Sequence, residues 1–281
     1  MILGHGAHRL SWTPTVAVYG QQLRDRRRSL LWWSIGVIGT ALLIVAFWPS
    51  IDGNTSYDDA MADLPDSVKN LMGVGGDLSL ASPAGYLNSQ WFATMLPVIL
   101  LVFGIGAGAA VIAGAEGDGS LEELLDGPVT RREVAVGRLK AIATLVVVLA
   151  LVGFVAVSVP SPALGLYEGL AWVDIVAATV AVLVLVLLHT ALAFGVGAAT
   201  GNRGTAIAAA SSVAVLGYLF YGIGSSVESL SLLADISPWD WAIGSPPVLE
   251  GFDVLMLVPG LLLTAAFSLV GIWRFERRDL H

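Results

Sequence analysis

Six apolar runs, each about as long as a membrane is thick and almost free of charge, constrain this chain more than any other feature. They fall near residues 30–49, 91–115, 139–159, 173–199, 204–224 and 254–273. A helix of about 20 residues crosses a hydrocarbon layer of ~30 Å. Backbone N–H and C=O groups in lipid must pair within the chain, which leaves only helices or a closed barrel. None of the runs alternates with the two-residue period of a barrel strand. The expected fold is therefore all-α and membrane-integral, with six transmembrane helices. Charged residues make up 13% of the chain, against about 25% in soluble domains, which agrees.

Orientation follows from the basic residues. Thirteen of the fourteen Lys and Arg lie before the first run, within 116–140, at Arg203 or after the last run, and only Lys69 lies on the other side. Both termini and residues 116–140 are thus expected in the cytoplasm. The acids concentrate in the opposite loops, so the net charge of −8 faces outward and implies no nucleic-acid partner. Residues 1–29 read as a cytoplasmic tail. Within it, Thr13-Pro14 starts an interfacial helix carrying Trp12, Val16, Tyr19 and Leu23 on one face, suited to the inner leaflet. Residues 30–281 read as one six-span domain. Twelve Arg against two Lys point to the cell membrane of a high-GC or salt-adapted prokaryote.

The polar stretch EGDGSLEELLDGPVTRREVAVGRLK, residues 116–140, interrupts this apolar chain on its basic side. Ser120 with Glu123, and Thr130 with Glu133, have the spacing of capping boxes. Gly127-Pro128 ends the first helix, because proline cannot continue the hydrogen-bond ladder. A short helix over Leu121–Asp126 is expected, then a new one from Arg131 into the membrane. Leu121, Leu124 and Leu125 fall at i, i+3 and i+4 and share a face. That stripe is expected to meet a partner. Glu116 is expected to brace the loop against Arg131 or Arg132.

Glu116, Gly119, Ser120, Leu121, Glu122, Leu124, Leu125, Pro128, Val129, Thr130, Arg131 and Arg132 match the pattern E-x-x-G-[ST]-L-E-x-L-L-x-x-P-[VI]-[ST]-R-R. This resembles the loop between the second and third spans of type 2 ABC exporter permeases, prokaryotic multidrug or antibiotic exporters among them. GYLNSQWF before the second run and Phe275, Arg277, Arg278, Asp279 and Leu280 near the end add weaker matches. The resemblance implies that residues 116–132 form a coupling helix docked on a separate ATP-binding subunit. It implies two such subunits, holding ATP and magnesium, and a second permease, identical or not. It also implies that the second and fifth spans line a cargo pathway, which here offers Met95, Ile99, Phe103, Tyr218 and Tyr221. The cargo expected is a hydrophobic small molecule moved outward.

Other chemistries fit poorly. A phosphate-binding P-loop needs Gly-Lys-[Ser/Thr], but Lys69 and Lys140 follow Val68 and Leu139. Any ATP hydrolysis therefore belongs to another subunit. Ion-driven transport draws on acids or histidines deep in the membrane. Here only His189 lies deep, where it reads as a hydrogen-bonding partner for a neighbouring helix. The four histidines are scattered and cysteine is absent, so no metal set, cofactor site or catalytic centre is expected. The competing reading is a non-transporting anchor or sensor subunit that recruits a regulatory protein through 116–140. Glycines and alanines in the second span, and at the junction of the fourth and fifth, read as close helix packing. Residues 225–252 hold Trp239 and Trp241 without a basic residue, which places that loop on or re-entrant into the outer leaflet.

Overall fold

A computed structural model describes residues 14–54, 56–75, 78–224, 227–251 and 253–279. The regular structure of those residues is entirely helical, with no strand. Among the described residues, six helices are long and apolar enough to cross a membrane: Pro14–Ser50, Pro83–Gly117, Arg131–Leu164, Trp172–Thr200, Arg203–Gly224 and Val254–Arg277. They are called the first to sixth spans below. The end carrying residues 118–130 is called the basic end, and the opposite end the acidic end.

The first span departs from expectation. Pro14–Phe47 is one continuous helix of 34 residues, about 51 Å long at 1.5 Å per residue, with no break near 29. Its early part does not lie apart as an interfacial helix. Val18 is buried, and a Cβ added at Gly137 would lie 3.1 Å from its side chain. The Tyr19 hydroxyl is 3.3 Å from Thr144 Oγ1. The helix therefore runs along the third span. Trp12 and Thr13 lie outside the described residues.

The second span begins eight residues before the expected start. Ser82 caps it by accepting from the Gly85 N–H at 3.2 Å, with Pro83 in the first turn. Two wide π-helical turns, Asn88–Met95 and Ala110–Gly114, interrupt it. The second of these leaves the Val111 carbonyl to accept from Arg138 Nη1 at 2.7 Å. A buried arginine inside an apolar bundle thus has a backbone partner.

The fourth span is the centre of the bundle and packs on the second, third, fifth and sixth. Small residues permit this as expected. A Cβ at Gly108 would stand 2.5 Å from the Thr190 carbonyl, and one at Gly271 would stand 2.8 Å from Gly195 Cα. His189 is fully buried here. Its Nδ1 lies 2.8 Å from the Leu185 carbonyl of its own helix, not on a neighbouring helix as expected, and Nε2 has no partner among the described residues. By contrast, the first, fifth and sixth spans expose broad apolar faces, including Trp32, Val215 and Leu262.

After the fifth span the chain turns back down its side. Ser237 Oγ donates to the Gly217 carbonyl at 2.7 Å, and Trp239 Nε1 donates to the Ala214 carbonyl at 2.9 Å. Ala214 lies ten residues before Gly224, about 15 Å along the helix at 1.5 Å per residue. Residues 227–251 therefore re-enter the bundle. Trp239 is buried there, not placed at the surface of the leaflet as its type suggested.

Candidate functional site at the basic end

Between the second and third spans lies the short helix Ser120–Leu125, one residue from its expected bounds. Its cap is not the expected one. Gly119, at φ 79°, is the N-cap and Ser120 is already helical. Asp118 does the capping: it accepts from the Ser120 N–H at 3.1 Å and from the Ser120 hydroxyl at 2.6 Å. Those bonds, the hydroxyl foremost, hold the Asp118 carboxyl below the usual range. The second box forms as expected. Thr130 N–H donates to Glu133 at 2.8 Å, and Glu133 N–H donates back to Thr130 Oγ1 at 3.2 Å. The third span starts at Arg131.

The leucine stripe points inward. Leu121 is fully buried in the same core as Ala115, Val134 and Ala135, while Leu124, Leu125 and Val129 pack half-buried against it. The turn between the second and third spans makes a slot that the stripe fills, so the leucines anchor the helix to its own chain. Glu122, Glu123 and Asp126 are exposed beside Asp118, Gly127 and Pro128. The face offered outward is acidic.

A buried ion pair sets the position of this loop. Glu116, expected against Arg131 or Arg132, is seated on Arg278. It accepts from both terminal nitrogens of Arg278, at 2.8 Å for Nη1. The side chains are only 6% and 15% exposed. Arg278 Nε also donates to the Ala198 carbonyl at 3.2 Å, and its own carbonyl accepts from Arg131. The Arg131 guanidinium lies 6.0 Å from the Phe275 ring centroid. Gly201 closes the fourth span in the left-handed region at φ +68°, and a Cβ there would come within 2.5 Å of Arg278 Nη1. The ends of the second, third, fourth and sixth spans thus meet at one residue, Arg278, the third through its carbonyl and the second and fourth through its guanidinium. Arg132 lies 4.0 Å from Glu276 and is largely exposed, a contact of little energy.

The expected cargo-lining residues do not converge. Phe103 is buried edge-on to Trp33 at 5.7 Å, Ile99 is half-buried in the core, and Tyr221 is buried. Met95 lines a hollow against the first span with Leu43 and Phe47. Tyr218 alone faces the groove between the second and fifth spans. That groove, about 510 Å³, is walled by Thr94, Val98, Val102 and Ile105 on one side and by Ser211, Val215, Tyr218 and Leu219 on the other, with Trp239 beside them. Residues four apart form one stripe of a helix, and the stripe beside the expected one faces the opening.

The family model for the ABC-2 family transporter protein matches residues 16–280. The chain belongs to this family. It is the membrane permease component of an ABC transporter, and membership implies an ATP-binding partner subunit. No curated protein matches the chain. In this ABC-2 permease, Arg278 was present in the C-terminal match, but its role was not legible from spacing. Glu116 and Arg278 lie 162 residues apart, and only folding joins them.

Proposed function

We propose that this permease moves a hydrophobic small molecule, of drug or antibiotic type, outward across a prokaryotic cell membrane, with both termini in the cytoplasm. Ser120–Leu125 is the coupling helix, and it passes the movement of a separate ATP-hydrolysing subunit to the spans. The observation that carries this is the mounting of that helix. Leu121 is buried in the permease core, and the Glu116–Arg278 pair ties the loop to the ends of the fourth and sixth spans. A displacement of the helix is therefore delivered to the bundle, not absorbed by a slack loop. Its exposed acids, Glu122, Glu123 and Asp126, suit a basic rim on the ATPase, since complementary charge steers and registers such contacts.

The groove between the second and fifth spans supports an apolar cargo, because its walls are almost wholly hydrocarbon. The exposed face around it is where a second permease would complete a pathway. Two ATPase copies and two permeases, alternately opening inward and outward, complete the proposed mechanism. The test is reversal of the acidic face. Glu122→Lys with Glu123→Lys should leave the permease folded but strip the ATP-binding subunit from it on purification. Retention of the ATPase and of ATP-driven export would remove this surface from the coupling role.

A further inference from the structure

The stretch GYLNSQWF belongs to no part of the basic-end site, yet two of its polar residues are buried and committed. Asn88 and Ser89 are 1% and 2% exposed. Ser89 Oγ donates to the Met72 carbonyl at 2.5 Å, and Asn88 Nδ2 donates to the Gly73 carbonyl at 2.8 Å. Both acceptors lie just past the short helix Asp66–Leu71, in the acidic-end loop between the first and second spans. On its other side the same helix meets the fifth span. Tyr218 donates its hydroxyl to the Leu71 carbonyl at 2.5 Å, and the Leu71 side chain presses onto the backbone at Gly222, where any Cβ would collide with it. Gly73, at φ +69°, fits against Ala93 so closely that a Cβ there would lie 2.5 Å from that methyl.

Ala93 and Tyr218 stand on the two opposite walls of the groove. Residues 66–74 therefore bridge the second and fifth spans at the acidic-end mouth of that groove. We infer that this segment is a latch: it holds the two spans together at that end, and its release from Tyr218 and Gly222 lets them part. The contacts are suited to the task. On the second-span side, two side-chain bonds to backbone and a glycine close approach bind the segment firmly. On the fifth-span side, the helix Asp66–Leu71 packs along the fifth span and ends on the Tyr218 hydroxyl bond and the Leu71 contact at Gly222, so parting there must break both. A separation at Tyr218 opens the groove toward the acidic end while the segment stays with the second span. This consequence for cargo rests on the groove being the pathway, whereas the latch itself rests only on the contacts named.

The chain has no cysteine, so introduced thiols are unambiguous reporters. Leu71→Cys with Gly222→Cys places two thiols at the fifth-span contact, and the smaller side chain at 71 makes room for a Cβ at 222. In the reconstituted complex with its ATP-binding subunit, oxidation should cross-link this pair without nucleotide. Trapping with ATP and vanadate should lower the yield several-fold. Separately, Thr94→Cys reports access to the groove through its reaction with a membrane-impermeant methanethiosulfonate. Adding Tyr218→Phe should raise that rate by up to about tenfold, the upper range for one hydrogen bond. The ATPase content of the reduced proteins serves as the folding control. Cross-linking that fails to form, or that forms equally in both nucleotide states, overturns the latch. With such equal yields, labelling of Thr94→Cys would still leave the groove as the pathway. Conversely, a nucleotide-dependent cross-link with no labelling of Thr94→Cys in any background retains the latch and retires the groove.

Discussion

Replacing Arg278 by alanine should destabilise this permease more than any other single change outside its apolar core. The substitution removes both donors to Glu116 and the Nε donor to the Ala198 carbonyl. It leaves the Glu116 side chain, 6% exposed, without this two-pronged cationic partner. Breaking a buried pair from one side costs roughly 3–5 kcal/mol. At about 2–4 °C per kcal/mol for a chain of this order of size, the melting temperature in detergent should fall by at least about 6 °C. Added salt should not restore it, because screening acts weakly on a buried pair. Removing both charges together, as Glu116→Leu with Arg278→Met, should cost much less than the sum of the single changes, since an apolar replacement of a buried pair is often close to neutral. The double-mutant cycle should therefore be non-additive by more than about 1 kcal/mol. Melting temperatures of the four purified proteins decide the matter. An Arg278→Ala effect below 1 kcal/mol, or an additive cycle, would refute the reasoning that this pair seats the loop.

Three further outcomes are expected. Leu121→Ala should destabilise the permease itself by about 2–5 kcal/mol, as for a buried leucine truncated to alanine, whereas Glu122→Lys should shift stability by no more than about 0.5 kcal/mol; thermal unfolding distinguishes them. Asp240, at the acidic end, is pushed up to about 6 by burial first and Asp235 second. Its carboxyl is therefore protonated in the folded protein at pH values where the unfolded chain has already ionised. Its contribution to stability is complete below about pH 4, the ordinary carboxylate value, and is lost as pH rises through about 6. Asp240→Asn should flatten the melting profile across that window, and an unchanged slope would count against the burial argument. Finally, a cysteine at Ser56 or Ser229 should react with an impermeant reagent from outside the cell and one at Ser120 should not; external labelling at Ser120 would reverse the proposed orientation.

The number of spans was written in the chain, because only long uncharged helices satisfy their own backbone in lipid. So was the break at Gly127-Pro128 with its Thr130–Glu133 box, since capping depends on residues three apart. What the sequence could not disclose is which apolar surface faces which neighbour. Lipid tails are as apolar as leucine, so hydrophobicity does not separate the core from the outside of a membrane bundle. Leu121 looked like a docking residue and is a core residue. Met95, Ile99 and Phe103 looked like a pathway, but the adjacent stripe at Val98, Val102 and Ile105 borders the groove. The partner of Glu116 lay 162 residues away in Arg278. The bridge of residues 66–74 across two spans depends likewise on contacts with no periodicity to announce them. Local rules of helix capping and burial are carried by near neighbours in sequence. The choice of helix faces, and the meeting of four span ends at Arg278, depend on distances that exist only once the bundle has packed.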